Sequence, residues 1–138
     1  MDTIRTIRLL SRWSVNRLMG KRRPLVAVFS ITHYCNYYCA MCPFGDADKE
    51  AQLMQVAMHD LSTDEWKYIM SKAAKYAIWS IVEGGEPTSR KDILELLEYL
   101  KSLRIPVTLI TNGSLLHTLD LDRLKNAVDH VCISMDSL

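Results

Sequence analysis

The chain has 138 residues, 49% hydrophobic and 24% charged, with 17 Lys and Arg against 16 Asp and Glu for a net charge of +1. That length allows one modest domain, the composition is ordinary for a globular protein, and no run approaches the ~18 uninterrupted apolar residues of a membrane-spanning helix. Near-neutral charge excludes a chain that is a nucleic-acid-binding surface throughout, although seven basic residues (Arg5, Arg8, Arg12, Arg17, Lys21, Arg22 and Arg23) crowd the first 23 positions against Asp2 alone.

Residues 2–19 carry an imperfect apolar stripe of Ile4, Ile7, Leu10, Val15 and Leu18 among arginines, which predicts a helix. Gly20 and Pro24 bracket the triplet Lys21-Arg22-Arg23, so residues 1–23 read as a basic helical extension and residues 24–138 as the core. Arg5, Arg8 and Arg12 interrupt any apolar segment of the export-signal kind, and no small-residue cleavage site follows; a cytoplasmic location is expected. Three readings of the extension stand side by side: packing against the sheet, docking on an anionic membrane surface through Leu9, Leu10 and Trp13 beside the cations, and, last in order, contact with nucleic acid.

Residues 25–31 are short, apolar and β-branched, a first strand, and a cysteine-bearing loop follows directly. Residues 43–61 form a connection, with a turn around Pro43, Gly45 and Asp46 and a short helix over 53–58. Ser62-Thr63-Asp64-Glu65 is a helix start, because a hydroxyl cap and early acids satisfy the free N–H groups; that helix runs to about Tyr76. Residues 78–82 read as a second strand ending at Glu83-Gly84-Gly85-Glu86-Pro87. Ile93, Leu96, Leu97 and Leu100 recur at helical spacing over 92–103. Pro106 opens a third strand, 107–110, which stops at Thr111-Asn112-Gly113. A short helix over 119–127 leads to a fourth strand, 130–134.

Strands alternating with helices of this length imply right-handed crossovers, hence an α/β fold with a parallel sheet. Chemistry in such sheets gathers at the C-terminal ends of the strands. The cysteines, Gly84-Gly85-Glu86-Pro87, Thr111-Asn112-Gly113, and Ser134 with Asp136 all fall there.

Cys35, Cys39 and Cys42 are spaced C-x3-C-x2-C, and clustered thiols without an export signal favour a metal or redox site over disulfides. Three thiolates suit three corners of an iron–sulfur cube, which the spacing favours; the competing reading is a structural zinc site with His33 as fourth ligand. His33, Tyr34, Tyr37 and Tyr38 border the loop as packing and shielding groups. Cys132, alone between Val131 and Ile133, is expected to be a buried small hydrophobe.

The spacing after a first strand, joined to Gly84-Gly85-Glu86-Pro87 after the second, resembles the radical S-adenosylmethionine (radical SAM) superfamily over roughly residues 26–138. The resemblance implies a [4Fe–4S] cluster on Cys35, Cys39 and Cys42 with one iron open to the amino and carboxylate groups of S-adenosylmethionine. Reductive cleavage of that cofactor gives methionine and a 5′-deoxyadenosyl radical, which takes hydrogen from a substrate that the sequence does not name. A one-electron donor such as reduced flavodoxin or ferredoxin is implied as partner. In the same family pattern Met41 stands beside the adenine, where an aromatic residue is usual. Gly84, Gly85, Glu86 and Pro87 receive the methionine amino group, Asn112 ends strand three, and Ser134 and Asp136 meet the ribose. Plain turns and a solvated strand end are the competing readings of Asn112, Ser134 and Asp136. The implied fold is a six-stranded partial (β/α) barrel, so four strands make this the front part, truncated after strand four and exposing a hydrophobic edge. The runner-up function is a non-catalytic module binding zinc or an iron–sulfur cluster.

Overall fold

A computed structural model of the chain describes residues 3–20, 24–42 and 60–135. The expected turn and helix within 43–59, the basic triplet 21–23 and Asp136 lie outside the described residues. Four strands, β1 (Val26–Ser30), β2 (Trp79–Glu83), β3 (Val107–Thr111) and β4 (His130–Ile133), form one sheet in the order β1-β2-β3-β4. Every pairing is parallel. The connections are helical: α2 (Thr63–Ala73) leads to β2, α3 (Ile93–Ser102) to β3 and α4 (Leu121–Ala127) to β4, while α1 (Thr3–Leu18) precedes the sheet. Short 3₁₀ turns at Pro87–Ser89 and Leu116–Thr118 follow β2 and β3.

Local chemistry sets these boundaries. Ser62 and Glu65 close a capping box at the start of α2: the Ser62 hydroxyl accepts from the Glu65 N–H, and the Glu65 carboxylate accepts from the Ser62 N–H at 2.8 Å. Asp120 caps α4 by accepting from the N–H groups of Asp122 and Arg123. At the end of α3 the chain turns through Arg104 at φ 61°, a left-handed conformation that glycine adopts more easily. Asp129 then joins β3 to β4's entry, accepting from the Val107 N–H at 2.8 Å and from Lys101 at 2.7 Å.

The core lies on one face of the sheet. Ile93, Leu96, Leu97 and Leu100 of α3 bury against Val82, Val107 and Leu109, with Phe29 and Ile31 on one flank and Leu124 and Ala127 of α4 on the other. Met70 of α2 completes it, and Trp66 meets Phe29 edge-on with centroids 6.4 Å apart. The opposite face carries no helix among the described residues. There Val28 and Ser30 are exposed and Ile81, Glu83 and Ile110 half-buried, as the strand period of two requires. At the N-terminal end of this bare face, Trp79 stacks on His130 (5.4 Å, 19°) and donates its indole N–H to Thr108 Oγ1 at 2.9 Å.

The expected burial of Cys132 is corrected here. All four residues of β4 are exposed, Cys132 included, because β4 is the sheet's edge and nothing among the described residues covers either of its faces. No helix among the described residues is long and apolar enough to cross a membrane.

Candidate functional site

The site is built where β1 and β2 end. Pairing continues beyond the strands: the Ile31 N–H donates to Glu83 O at 2.9 Å, Gly85 N–H to Thr32 O at 2.8 Å and Glu86 N–H to Tyr34 O at 2.7 Å. This approach requires glycine. A Cβ on Gly84, at φ +151°, would sit 2.4 Å from Thr32 O, and one on Gly85 would sit 2.3 Å from Tyr34 O. The two glycines thus let the stem of the cysteine loop lie directly against the end of β2. The sequence reading gave them to a bound cofactor; within the chain itself, they serve the close approach of two backbone segments.

Glu86 is fully buried, at 0% exposure. Its Oε1 accepts from Thr88 N–H (2.9 Å), Thr88 Oγ1 (2.5 Å) and Thr111 Oγ1 (2.6 Å), and its Oε2 accepts from Asn112 N–H (2.7 Å). The acid expected to meet an ammonium group is therefore occupied by four donors of the protein, and it ties the β2 turn to the end of β3. Pro87, also buried, begins the 3₁₀ turn that Glu86 caps.

From that brace a polar chain runs to the cysteines. The Asn112 side-chain amide donates to Asn36 Oδ1 at 2.9 Å and reaches Cys35 Sγ at 4.0 Å, while the Tyr37 N–H donates to the same sulfur at 3.4 Å. Asn36 in turn donates to Ser114 Oγ at 2.9 Å, and Ser114 donates to Asn112 Oδ1 at 2.6 Å. Cys39 and Cys42 follow in a turn closed by Cys42 N–H to Cys39 O at 2.9 Å. All three thiols are half-buried and none is in a disulfide. Met41 is 78% exposed, and Tyr37 and Tyr38 are exposed beside it. Ser134 is exposed past β4, its N–H donating to Thr111 O at 3.0 Å; the other residue expected at that position, Asp136, is not described. Asn36 and Ser114 were not singled out from the sequence; a short polar side chain inside a cysteine loop carries no ligand signature.

A second network fixes the back of the site. Arg90 grips Asp92 with two nitrogens (2.8 and 2.7 Å) and donates to Ile31 O (3.0 Å) and Leu61 O (3.2 Å), joining the exit of β1 to the start of α2. Burial alone pushes the Asp92 carboxyl up, but the bonds from Arg90 and from Thr63 (2.6 Å) outweigh it and hold its pKa below the ordinary carboxylate value. His33, the fourth ligand a zinc site needs, faces Asp60, with Nδ1 to Oδ1 at 3.5 Å.

The structure puts Cys35, Cys39 and Cys42 on one loop but does not draw them into a closed ligand set: among the described residues no three His, Cys, Asp or Glu side chains are gathered for a metal. The donor chemistry nevertheless fits an iron–sulfur cluster. Three thiol ligands stand within eight residues, and Cys35 already receives the N–H donors that tune cluster sulfur.

Comparison with known proteins agrees. The family model for the Radical SAM superfamily matches residues 29–138. The PqqA peptide cyclase of Bradyrhizobium diazoefficiens is 33% identical over 118 residues, covering 83% of this chain and 29% of the relative. A probable GTP 3′,8-cyclase of Sulfurisphaera tokodaii is 34% identical over 111 residues, 79% of this chain and 33% of the relative. This chain thus spans about a third of the length of these curated relatives. Among solved structures, Streptococcus suis SuiB bound to S-adenosylmethionine superposes with a TM-score of 0.58 at 24% identity, over 83% of this chain and 25% of that one, which shows a shared fold.

Proposed function

The chain belongs to the radical SAM superfamily, and from that premise we propose that the protein acts as a radical SAM enzyme with Cys35, Cys39 and Cys42 as the ligands of its [4Fe–4S] cluster. The observation that carries this reading is the fastening of the cysteine loop that follows β1 to two further strand ends, by Gly85 and Glu86 to β2 and by Asn112 to β3. When bound, the cluster and S-adenosylmethionine together supply an electron and a carbon-centred radical able to take hydrogen from substrate.

This chain's residues set the conditions for that chemistry. The Tyr37 N–H and the Asn112 side-chain amide stand 3.4 and 4.0 Å from the Cys35 sulfur, where they would hold it in position for a cluster. Glu86 holds the Asn112 backbone in place, so the amide that meets Cys35 is oriented by a group that does not itself touch the thiol. Gly84 and Gly85 leave their backbone uncovered by any Cβ, and Met41 with Tyr37 and Tyr38 offers apolar surface to shield a ligand from water. A one-electron donor of the reduced flavodoxin or ferredoxin kind is the proposed redox partner. Relatives named for a peptide and for GTP, and a SuiB structure with the precursor peptide SuiA, make a peptide and a guanine nucleotide the first substrates to assay.

Anaerobic reconstitution of the full-length protein tests the proposal. About four irons and four sulfides per chain are expected, with 5′-deoxyadenosine released on reduction in the presence of S-adenosylmethionine. Cys35→Ala, Cys39→Ala and Cys42→Ala should each abolish both. One tetrahedral zinc per chain and no deoxyadenosine would instead identify a non-catalytic metal module.

A further inference from the structure

We propose that α1 is an interfacial helix that seats the protein on an anionic lipid surface. α1 spans 16 residues, about 24 Å at the α-helical rise. The apolar side chains described on it are not used by the core. Ile7 and Leu18 are 61% and 89% exposed, Leu10, Val15 and the following Met19 are exposed as well, and among the described residues α1 shares no broad packing surface with the sheet or the other helices.

The helical period then orders the sequence into a stripe with charged borders. At 3.6 residues per turn, positions 10, 7, 18, 4 and 15 fall within one arc of about 140°, interrupted only by the small hydroxyl residues Thr3, Ser11 and Ser14. Arg8, Arg12 and Arg5 occupy the positions along one border, and Arg17 the position along the other. Arg17 lies over the Trp13 ring, 5.4 Å from its centroid, a cation beside an indole of the sort that suits the headgroup layer. Lys21, Arg22 and Arg23 extend the basic charge, and no Asp or Glu occurs between Asp2 and Asp46.

Each feature matches a bilayer interface. An apolar stripe with arginine positions along both borders suits the acyl boundary beneath a layer of phosphates. Anionic headgroups concentrate such a helix at the surface. A nucleic acid would satisfy the arginines and leave Ile7, Leu10, Val15 and Leu18 in water, so lipid is the partner that uses both halves of the helix. This inference does not depend on the enzymatic reading.

The test is co-sedimentation of the full-length, cluster-loaded protein with vesicles of phosphatidylcholine alone or mixed equally with phosphatidylglycerol, and a parallel titration with duplex DNA. Binding to the anionic vesicles is expected to exceed binding to the neutral ones by about tenfold or more and to weaken as salt is raised. Ile7→Asn with Leu18→Asn should lower it about tenfold at unchanged charge, since burial of both side chains is lost, and Arg5→Gln with Arg8→Gln and Arg12→Gln should erase the preference for anionic lipid. A chain lacking residues 1–20 should keep its iron and its deoxyadenosine formation and lose vesicle binding, which separates loss of docking from loss of fold. Equal binding to neutral vesicles, wild-type binding by the Ile7/Leu18 variant, retained binding by the shortened chain, or helix-dependent binding to DNA but not to vesicles would each overturn the proposal.

Discussion

Glu86 gathers four hydrogen bonds from Thr88, Thr111 and Asn112, and a substitution there spreads its cost over two strand ends. In Glu86→Gln either carboxylate oxygen that becomes an NH2 group must face a donor already in place. The variant is expected to lose about 1–3 kcal/mol in urea unfolding, and an unchanged midpoint would show that the brace carries no energy. Gly85→Ala is expected to cost about 3 kcal/mol, because the new methyl would meet the Tyr34 carbonyl, which is backbone and has no rotamer to yield. Iron bound per chain should fall with it; full iron loading at wild-type stability would refute the close approach. The contrast between these two residues shows what a sequence discloses. The C-x3-C-x2-C spacing and the paired glycines are legible because their signal is local. The burial of Glu86 is not, since its partners Thr111 and Asn112 lie 25 and 26 positions away. Asn36 and Ser114 are hidden for the same reason: they meet across 78 positions.

Among the described residues the α-helices and strands were legible, their ends shifted by a few residues, because caps and hydrophobic period act over a single turn or strand; the 3₁₀ turns at Pro87–Ser89 and Leu116–Thr118 were not. Burial was less so. Cys132 has the neighbours of a core residue and stands exposed, because the position of β4 in the sheet decides its surroundings and flanking residues do not. The end of α3 offers a test at this scale. Arg104 adopts a left-handed conformation that costs about 1 kcal/mol for a residue with a Cβ, so Arg104→Gly should raise thermal stability slightly; a fall would mean the arginine side chain makes contacts worth more than the strain. The connection between β1, α2 and α3 also carries a pH dependence through Asp92. Its folded pKa is lowered relative to the unfolded chain, so its contribution is complete above the unfolded value of about 3.9 and fades as pH drops through the folded one. Asp92→Asn should therefore show a shallower loss of stability on acidification below about pH 5, read by urea midpoints at successive pH values. Asp129, held low by Lys101 and the Val107 N–H against the upward push of burial, works in the same sense between β3 and β4.

At the scale of the molecule, the described helices cover one face of a parallel sheet and none of them covers the other, while the polar contacts collect at one end. The parallel sheet and the gathering of polar residues at its C-terminal end were foreseeable from alternating strands and helices, and the family match and the superposition agree with that fold. The loop is fastened to the sheet at its first cysteine. Its first thiol is moored to β2 and β3 through Tyr34, Glu86 and Asn112, whereas the other two belong to a turn farther along the chain. None of the buried core residues comes from that turn. Iron loading is therefore expected to follow the folding of the sheet and its helices and not to drive it. Anaerobic chelation should strip the iron and leave the far-ultraviolet circular dichroism as it was, and a collapse of helical signal would show instead that the metal holds the frame up.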